Sequence, residues 1–404
     1  MGDGETAKSE ASTVSQQHCD PVTYLENEQE RLAEGTALCL SGGGYRAMLF
    51  HAGVVWRLNE IGLLPRLNRI SSVSGGSITA GVLALNWEKL VFQNNTATNF
   101  EDEVVKPIQK LASRTIDVSS VALGTLWFGS VGDKIAAAYR DYLYGDNTLQ
   151  DIVGEVPDVS PRFVFNATNV QSGVLWRFMK PYMRDYRVGE VKNPKIDLAV
   201  VVAASSAFPP VLSPVELDLD PKDFTPGSGE SSLGDEYRTQ VVLTDGGVYD
   251  NLGLETAWKR YKTILVSDAG GGFAPDPDPH RDWVRHSMRV LFTIDNQVRS
   301  LRKRQVVGAF LDGRRHGAYW SISGNAESLQ SFPTLRCDYL KTSALANIDT
   351  RLRKLTREEQ QRLINWGYAI SDLRLTQWVK NAKWNVLNLN WTTPKFPYED
   401  EGVG

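Results

Sequence analysis

The sequence predicts an α/β protein, because short apolar runs alternate with glycine turns and helical segments between residues 36 and 90. Residues 37–40 form one apolar run, and the glycines at 42–44 follow it and lead into a segment whose apolar residues have helical spacing. The same order recurs in residues 67–73, 74–76 and 78–90. This alternation is typical of βαβ units in a parallel or mostly parallel sheet.

The length of 404 residues allows one large α/β domain or two smaller ones, and we favour one. Residues 1–35 are polar and poor in large apolar side chains, which predicts a flexible lead-in, and residues 36–404 form the predicted folded domain. The chain has 44 basic and 48 acidic residues and a net charge of −4. This balance does not favour a nucleic-acid partner.

The three cysteines, Cys19, Cys39 and Cys337, are odd in number and widely spaced. They fit neither a disulfide framework nor a zinc site with paired cysteines, so we expect a reducing compartment and no bound metal. The chain does not open with a charged and then apolar leader, and its longest apolar-rich run, residues 196–212, is broken by two prolines. We therefore expect a cytoplasmic protein.

The first glycine turn fits two kinds of anion site. Gly42, Gly44 and Ala47 match the dinucleotide pattern G-x-G-x-x-G/A, and the free N–H groups of a helix start favour either a phosphate or an oxyanion. A dinucleotide site also needs an acidic residue at the end of the second strand. The predicted second strand ends at Val73, and no acidic residue is present there. The second turn must therefore distinguish a phosphate site from an oxyanion site.

The second turn has the features of a nucleophile elbow. Ser74 lies between two small residues, Ser72 and Gly76, as in the pattern G-x-S-x-G with a serine in place of the first glycine. Neighbouring parallel strands would bring this serine and the first glycine turn to one edge of the sheet, where amides of that turn could stabilise an oxyanion. Arg46, in the first turn of the helix, adds a positive charge for a phosphate or for the oxyanion.

The best candidate for a base is an aspartate. Asp245 follows the apolar residues 241–243 and precedes two glycines, so it is predicted to lie at the tip of a strand with open space beside it. Asp268 has nearly identical surroundings after the apolar residues 264–266, and Asp250 follows five residues after Asp245, but we interpret both as structural. No catalytic motif surrounds any of the five histidines, His18, His51, His280, His286 and His316.

Three motifs together, "SGGGYRAM", "SVSGG" and "TDGGVYDNLG", resemble the patatin-like phospholipase superfamily, and in particular its cytosolic phospholipase A branch. Two further segments, "FNATNVQSG" and "ASSAFPPV", are similar to the strand and pre-aspartate segments of patatin relatives. The resemblance covers roughly residues 36–255. It implies a three-layer α/β/α fold with a mostly parallel central sheet, a nucleophile elbow and extra C-terminal helices.

Residue by residue, the resemblance implies that Ser74 is the nucleophile and Asp245 the base of a serine–aspartate dyad. It also implies that the turn of Gly42, Gly43 and Gly44 is the oxyanion hole, and Arg46 matches the basic residue that follows those glycines in the family. The implied activity is hydrolysis of fatty-acyl esters of membrane glycerophospholipids through an acyl-serine intermediate, without a cofactor and through transient peripheral contact with the membrane.

Alternatives with the same dyad are a triacylglycerol lipase, an esterase or a thioesterase, and a less favoured one is an inactive lipid-binding module. An activating ligand or partner is a further possibility that the sequence does not identify.

Three local expectations complete the sequence analysis. The loop from Asp220 to Asp235 is rich in proline, glycine, serine and acidic residues, which predicts an exposed insertion. Thr356 and Glu359 form a predicted capping box that starts a late amphipathic helix. Trp127 and Phe128, in the segment 119–132, fit either a lid that contacts a lipid interface or the edge of a buried helix.

Overall fold

The computed structural model describes residues 32–116, 131–210, 212–329, 335–380 and 389–404, and ten strands of this part of the chain form one mixed sheet. In chain order the strands are β1 (Ala33–Leu40), β2 (Arg69–Val73), β3 (Phe92–Gln93), β4 (Thr96–Ala97), β5 (Arg162–Asn169), β6 (Val174–Met179), β7 (Tyr182–Asp185), β8 (Gly189–Lys192), β9 (Val215–Asp218), β10 (Gln240–Asp245), β11 (Tyr261–Asp268) and β12 (His316–Ser321). Strands β3 and β4 form a separate hairpin.

The helices lie between and after these strands. In chain order they are α1 (Gly44–Glu60), α2 (Gly75–Asn86), α3 (Lys106–Ala112), α4 (Val131–Tyr139), α5 (Leu198–Ser205), α6 (Glu236–Thr239), α7 (Gly247–Asp250), α8 (Glu255–Trp258), α9 (Trp283–Leu311), α10 (Tyr339–Ala346) and α11 (Arg357–Leu375). The two predicted strand–turn–helix units are therefore confirmed as β1–α1 and β2–α2, although β1 begins at Ala33 and not at the predicted Thr36.

The central strands are parallel, in the order β12-β11-β1-β2-β5. Beyond β5 the sheet continues through β6, β7 and β8 in antiparallel pairs. Strand β10 also pairs with β5, and β9 pairs with β10, both in antiparallel fashion. The mostly parallel centre that the sequence predicts is confirmed, and an antiparallel extension is added to it.

Strand β5 carries two partners in succession on one edge. Strand β2 pairs with its first half, where Val73 lies opposite Asn166, and β10 pairs with its second half, where Asp245 lies opposite Ala167. Because β2 is parallel to β5 and β10 is antiparallel to it, the carboxyl ends of β2 and β10 meet. The residues that follow these two strands are thereby brought together.

Helices cover both faces of the sheet, as the predicted three-layer arrangement requires. On β1, Leu38 and Leu40 point into a large core that contains residues of α1, α2 and α11. The alternate residues Ala37 and Cys39 point into a smaller core formed with α8 and the C-terminal part of α9. Alternate burial on both faces explains why β1 is apolar throughout its second half.

Helix α11 packs on α1 with its backbone in close contact. A Cβ atom on Gly53 would overlap the carbonyl oxygen of Ile364, and one on Gly367 would overlap that of Phe50. The predicted capping box is confirmed, because the Thr356 side chain accepts a hydrogen bond from the Glu359 amide and the Glu359 side chain accepts one from the Thr356 amide. The C-terminal helix is thus an integral part of the main core.

Two other local expectations have different outcomes. The loop 220–235 lies at the surface, with half of its residues exposed and most of the others half-buried, and its Phe224 is buried. Trp127 and Phe128 lie outside the described residues, so their contact with lipid stays a prediction. Among the helices of the described ranges, none combines the length and the apolar character that crossing a membrane requires.

The contact between α1 and α11 generates a stability prediction. Gly367→Ala should lower the free energy of unfolding by about 1–3 kcal/mol, because the added methyl group forces the two helix backbones apart. Gly308→Ala in α9 is the matched control, because its Cβ would meet no atom within 4 Å, and the same substitution should raise stability by about 0.5–1 kcal/mol. Urea unfolding measures both, and equal effects would refute the close contact.

Candidate functional site

Ser74 lies at the junction of β2 and α2 in a conformation that few residues other than glycine adopt. Its φ is 52° and its ψ is −123°, and it occupies the N-cap of α2. The surroundings hold this backbone in place, because the Ser74 N–H donates to the carbonyl oxygen of Ser205 at 3.1 Å and to its Oγ at 3.2 Å. A strained serine on a sharp turn between strand and helix is the geometry of a nucleophile elbow.

The small residues around Ser74 allow the two turns to touch. A Cβ atom on Gly75 would overlap the carbonyl oxygen of Gly44, and one on Gly42 would lie 3.0 Å from the Cβ of Ser74. Ser72, in place of the elbow's first glycine, is buried and donates from its Oγ to the carbonyl oxygen of Val164 at 3.2 Å. The substitution of serine for glycine is therefore accommodated inside the sheet.

Asp245 is buried, and its carboxylate is only partly satisfied. Its Oδ1 accepts a hydrogen bond of 2.7 Å from the Gly247 N–H, whereas its Oδ2 has no hydrogen-bond partner within the described ranges. Burial raises the pKa of Asp245 to about 7, although the Gly247 N–H and the Ser74 hydroxyl act in the opposite direction. The negative charge of Asp295 raises this pKa further.

Ser74 and Asp245 are adjacent without a well-formed hydrogen bond. The Ser74 hydroxyl is close enough to lower the pKa of Asp245, yet it does not meet the geometry of a hydrogen bond to Oδ2. Catalytic hydrogen bonds are often long in free enzymes and tighten when the substrate binds. The geometry therefore suits a hydroxyl and a base that form their hydrogen bond during the reaction.

The glycine turn offers two backbone donors beside Ser74. Gly43 and Gly44 have φ values of 142° and 59°, which favour glycine at both positions. The Gly42 N–H already donates to the carbonyl oxygen of Asn251 at 3.1 Å. In the part of the chain that is described, the amides of Gly43 and Gly44 have no protein acceptor, so they, and not Gly42, are the available donors.

Arg46 is buried and bonded to backbone. Its Nη1 donates to the carbonyl oxygens of Ala346 at 2.8 Å and Ile348 at 2.7 Å, and its Nη2 donates to that of Ala269 at 2.9 Å. These hydrogen bonds hold the loop after β11 and the loop after α10 close to the glycine turn. Contact of Arg46 with a phosphate or an oxyanion stays a prediction, and the hydrogen bonds favour a positioning role.

The structural interpretation of the other acids agrees with their contacts. Asp250 accepts hydrogen bonds from the amides of Leu252 and Glu255. Asp268 is fully buried and forms ion pairs with Arg299 and Lys303. Burial raises the pKa of Asp268, but these two cations outweigh burial and hold it well below its usual range.

His51 is also structural. Its Nε2 donates to the carbonyl oxygen of Ser41, and its Nδ1 lies 2.9 Å from the Oγ of Ser267. Since the carbonyl can only accept, the neutral ring accepts the Ser267 hydroxyl at Nδ1. Burial lowers the pKa of His51 to about 4, which keeps the ring neutral.

A cavity of about 450 Å³ connects these parts. Ser74, Asp245 and the glycine turn line this cavity, and no histidine of the described ranges does. One part of the wall is apolar, and it is formed by Phe208, Leu212, Phe273, Phe292, Ile348 and Leu352. Another part carries charged and polar side chains, namely Arg289, Asp295, Asn296, Arg299 and Asp349. Within the described part of the chain, no group of His, Cys, Asp and Glu residues is arranged to hold a metal ion.

Sequence reasoning missed the residues that join Ser74 to Asp245. Ser205 accepts from the amides of both Ser74 and Gly246, and the carbonyl oxygen of Ala207 accepts from the Asp245 N–H at 3.0 Å. The Ser205 hydroxyl donates in turn to the carbonyl oxygen of Asn166 on β5. The segment "ASSAFPPV" contains both Ser205 and Ala207, so its resemblance to the pre-aspartate segment of patatin relatives is the signal that points to them.

Comparison with known proteins places this chain in a family. A model of the patatin-like phospholipase family matches residues 38–258, which is more than half of the chain. The chain therefore belongs to the patatin-like phospholipase family, whose members are lipid acyl hydrolases.

Individual relatives are distant. Over 228 residues the chain is 29% identical to triacylglycerol lipase 4 of Saccharomyces cerevisiae, a match that covers 54% of this chain and 22% of that protein. Human GIVD cytosolic phospholipase A2 in complex with methyl gamma-linolenyl fluorophosphonate has a TM-score of 0.47 and 11% identity, with 87% of this chain and 59% of that chain covered. VipD of Legionella pneumophila has a TM-score of 0.34 and 16% identity, with 85% and 67% covered.

The buried carboxylate of Asp245 generates a prediction about stability. A raised pKa in the folded state means that folding is favoured below the unfolded value of 3.8 and becomes less favourable as the pH rises towards about 7. Asp245→Asn removes this penalty. It should therefore stabilise the protein by a few kcal/mol near pH 8 and by much less near pH 4.

Thermal unfolding between pH 4 and pH 8 measures this difference. Asp268→Asn is the matched control, because it makes the same change in a buried aspartate whose pKa is lowered, and it should destabilise the protein at neutral pH. A loss of stability in Asp245→Asn at pH 8 would show that the carboxylate is better solvated than its contacts indicate.

Proposed function

We propose that the protein is a serine acyl hydrolase that cleaves fatty-acyl esters of membrane glycerophospholipids. The observation that carries the proposal is that the hydroxyl of Ser74 and the carboxylate of Asp245 share one cavity with the amides of Gly43 and Gly44. Within the described residues, Oδ2 of Asp245 and these two amides have no hydrogen-bond partner. A nucleophile, a base and oxyanion donors are the three parts that acyl transfer needs. Membership in the patatin-like family supports the same reaction class.

In the first step, the Ser74 Oγ attacks the ester carbonyl while Asp245 takes the hydroxyl proton. The carbonyl oxygen becomes negative and accepts hydrogen bonds from the amides of Gly43 and Gly44. Collapse of this intermediate breaks the ester bond and leaves an acyl-serine, and the proton on Asp245 goes to the departing alcohol. Water then repeats the sequence, with Asp245 as its base, and releases the fatty acid.

The environment of Asp245 makes a carboxylate an adequate base. An ordinary carboxylate has a pKa near 4, too low to take a proton from an alcohol readily. Burial raises the pKa of Asp245 to about 7, so the group is substantially ionised at neutral pH and also holds a proton more strongly. The absence of histidine from the described lining of the cavity favours a dyad over a triad.

The cavity wall fits a lipid with a polar head. Apolar residues such as Phe208 and Phe292 can cover an acyl chain, while Arg289 and Asn296 can meet a phosphate or another polar group. The yeast relative is named a triacylglycerol lipase, which favours a neutral ester as the second candidate substrate. In either case we propose transient peripheral contact with a lipid surface.

Turnover on defined lipids tests the proposal. Ser74→Ala should abolish release of fatty acid, and Asp245→Asn should lower kcat on the order of a thousandfold, because it keeps the shape and removes the base. His286→Gln is the control and should retain most activity, since its side chain is exposed and does not line the cavity.

Mass spectrometry of fatty acid released from phosphatidylcholine vesicles and from triacylglycerol emulsions measures each variant. Preference for the emulsion would select the lipase alternative. Full activity in Ser74→Ala would contradict the nucleophile and with it the dyad, and release from neither lipid by the unmodified protein would contradict both substrates.

A further inference from the structure

A second cavity lies between strand β6 and helices α7 and α8, and its volume is about 280 Å³. We call it the β6–α8 cavity. Of the described residues that line it, none also lines the cavity of Ser74 and Asp245. Most of its lining side chains are charged or carry a phenol, namely Arg177, Tyr186, Tyr249, Glu255, Lys259 and Arg260. The cavity is therefore separate from the candidate active site, and the proposed reaction uses none of its residues.

Arg177, on β6, lies directly opposite a second arginine. The register pairs Arg177 with Arg184 of β7, and Arg184 with Glu190 of β8. Two like charges directly opposite each other on one face of a sheet are destabilising. Arg184 is compensated, because its Nη1 donates to Oε2 of Glu190 at 3.3 Å. Arg177 is not compensated: its other neighbour is Asn166 of β5, its Nε is buried without a partner, and its guanidinium has no carboxylate partner within the described ranges.

Two further cations line the β6–α8 cavity, and only one of them has a carboxylate partner. Lys259 forms an ion pair with Glu255 at 2.6 Å, and Arg302 pairs with the same carboxylate at 3.1 Å. The negative charge of Glu255 is thereby neutralised. Arg260 is exposed, and in the part of the chain that the structure describes no carboxylate meets its side chain. Arg177 and Arg260 consequently give the cavity an excess of positive charge.

The surroundings of Arg177 are unfavourable for its charge. Burial lowers the pKa of Arg177, and the positive charges of Arg184, Arg260 and Arg69 lower it further, although Tyr182 acts in the opposite direction. A guanidinium nevertheless stays protonated in a protein. A half-buried cation that stays charged beside like charges is stabilised by an anion that enters from solvent.

We propose that the β6–α8 cavity binds a phosphate group. A phosphate carries more than one negative charge and several acceptor oxygens, so it can meet Arg177 and Arg260 together, whereas one guanidinium already matches a carboxylate. The hydroxyls of Tyr186 and Tyr249 can donate to the remaining oxygens. The volume suits a free phosphate or the phosphate of a lipid headgroup and is small for a whole lipid. This inference does not depend on the proposed function.

Thermal unfolding in inorganic phosphate tests the proposal, with sodium chloride of equal ionic strength as the reference. The rise of the melting temperature with phosphate concentration gives a dissociation constant, because a ligand that binds only the folded protein stabilises it. Arg177→Met keeps the apolar stem and removes the charge, and it should weaken phosphate binding at least about tenfold. Arg184→Met is the matched control: it makes the same change at the opposite residue, which does not line the cavity, and it should leave the phosphate response largely unchanged.

Arg260→Gln is a second test at an exposed position, where folding is not at risk, and it should also weaken phosphate binding. In chloride alone, Arg177→Met should melt no lower than the unmodified protein, because it removes a repulsion, whereas Arg184→Met should melt lower because Glu190 loses its partner. A fall in the melting temperature of Arg260→Gln in chloride would mean that the chain itself supplies the counter-charge, and would overturn the proposal. Phosphate binding that both Arg177→Met and Arg260→Gln leave unchanged, or stabilisation no greater than that in chloride, would mean an adventitious ion only and would overturn it too.

Vesicle binding distinguishes the two sources of the phosphate. Co-sedimentation with phosphatidylcholine vesicles, with and without phosphatidic acid, is measured in a Ser74→Ala background that prevents hydrolysis. Binding that requires phosphatidic acid and is lost in Arg260→Gln would identify a lipid headgroup. Binding of inorganic phosphate without such a loss would identify the free ion, and either result supports the site.

Discussion

Strand β5 accepts β2 and β10 end to end on the same edge, and this pairing determines the position of the candidate site. The register places Val73 opposite Asn166 and Asp245 opposite the next residue, Ala167. Ser74 and Asp245 are far apart in sequence. They consequently lie beside each other where the ends of β2 and β10 meet. Ser205 joins the two strand ends, because its carbonyl oxygen accepts from the amides of Ser74 and Gly246. Its hydroxyl also donates to the carbonyl oxygen of Asn166 on β5.

The site is maintained at a cost to stability. Ser74 has a positive φ, and Asp245 is a buried carboxylate with one oxygen unpartnered among the described residues. Each feature is unfavourable for folding, and each is what the proposed chemistry needs, because strain presents the hydroxyl and burial raises the pKa of the base. By contrast, the nearby carboxylate of Asp268 is fully paired and has a lowered pKa. Two buried aspartates at the same edge of the sheet thus have opposite environments.

Sequence reasoning was most successful where local chemistry determines the structure. The apolar run before Ser74 and the glycines beside Asp245 each predict a strand end and a turn from a few neighbouring residues. Both side chains could therefore be assigned candidate roles. The antiparallel direction of β10 depends on its pairing with β5, which the local pattern does not contain. The burial of Arg46 depends on loops about 220 to 300 positions away in sequence, and therefore its bonds to backbone could not be predicted. The exposure of the apolar residues of α9 could not be predicted, because an apolar spacing indicates a helix without showing whether its apolar side faces a core or solvent.

The central claim is that Asp245 activates Ser74. The most direct measurement is the rate at which a fluorophosphonate modifies Ser74, followed by peptide mass spectrometry as a function of pH in the unmodified protein and in Asp245→Asn. The account predicts modification at Ser74 alone, with a rate that rises as the pH passes through about 7, because Asp245 must be ionised to accept the proton. In Asp245→Asn the rate should be far lower and should lack this rise. Modification of a different serine, or an unchanged rate in Asp245→Asn, would contradict the claim.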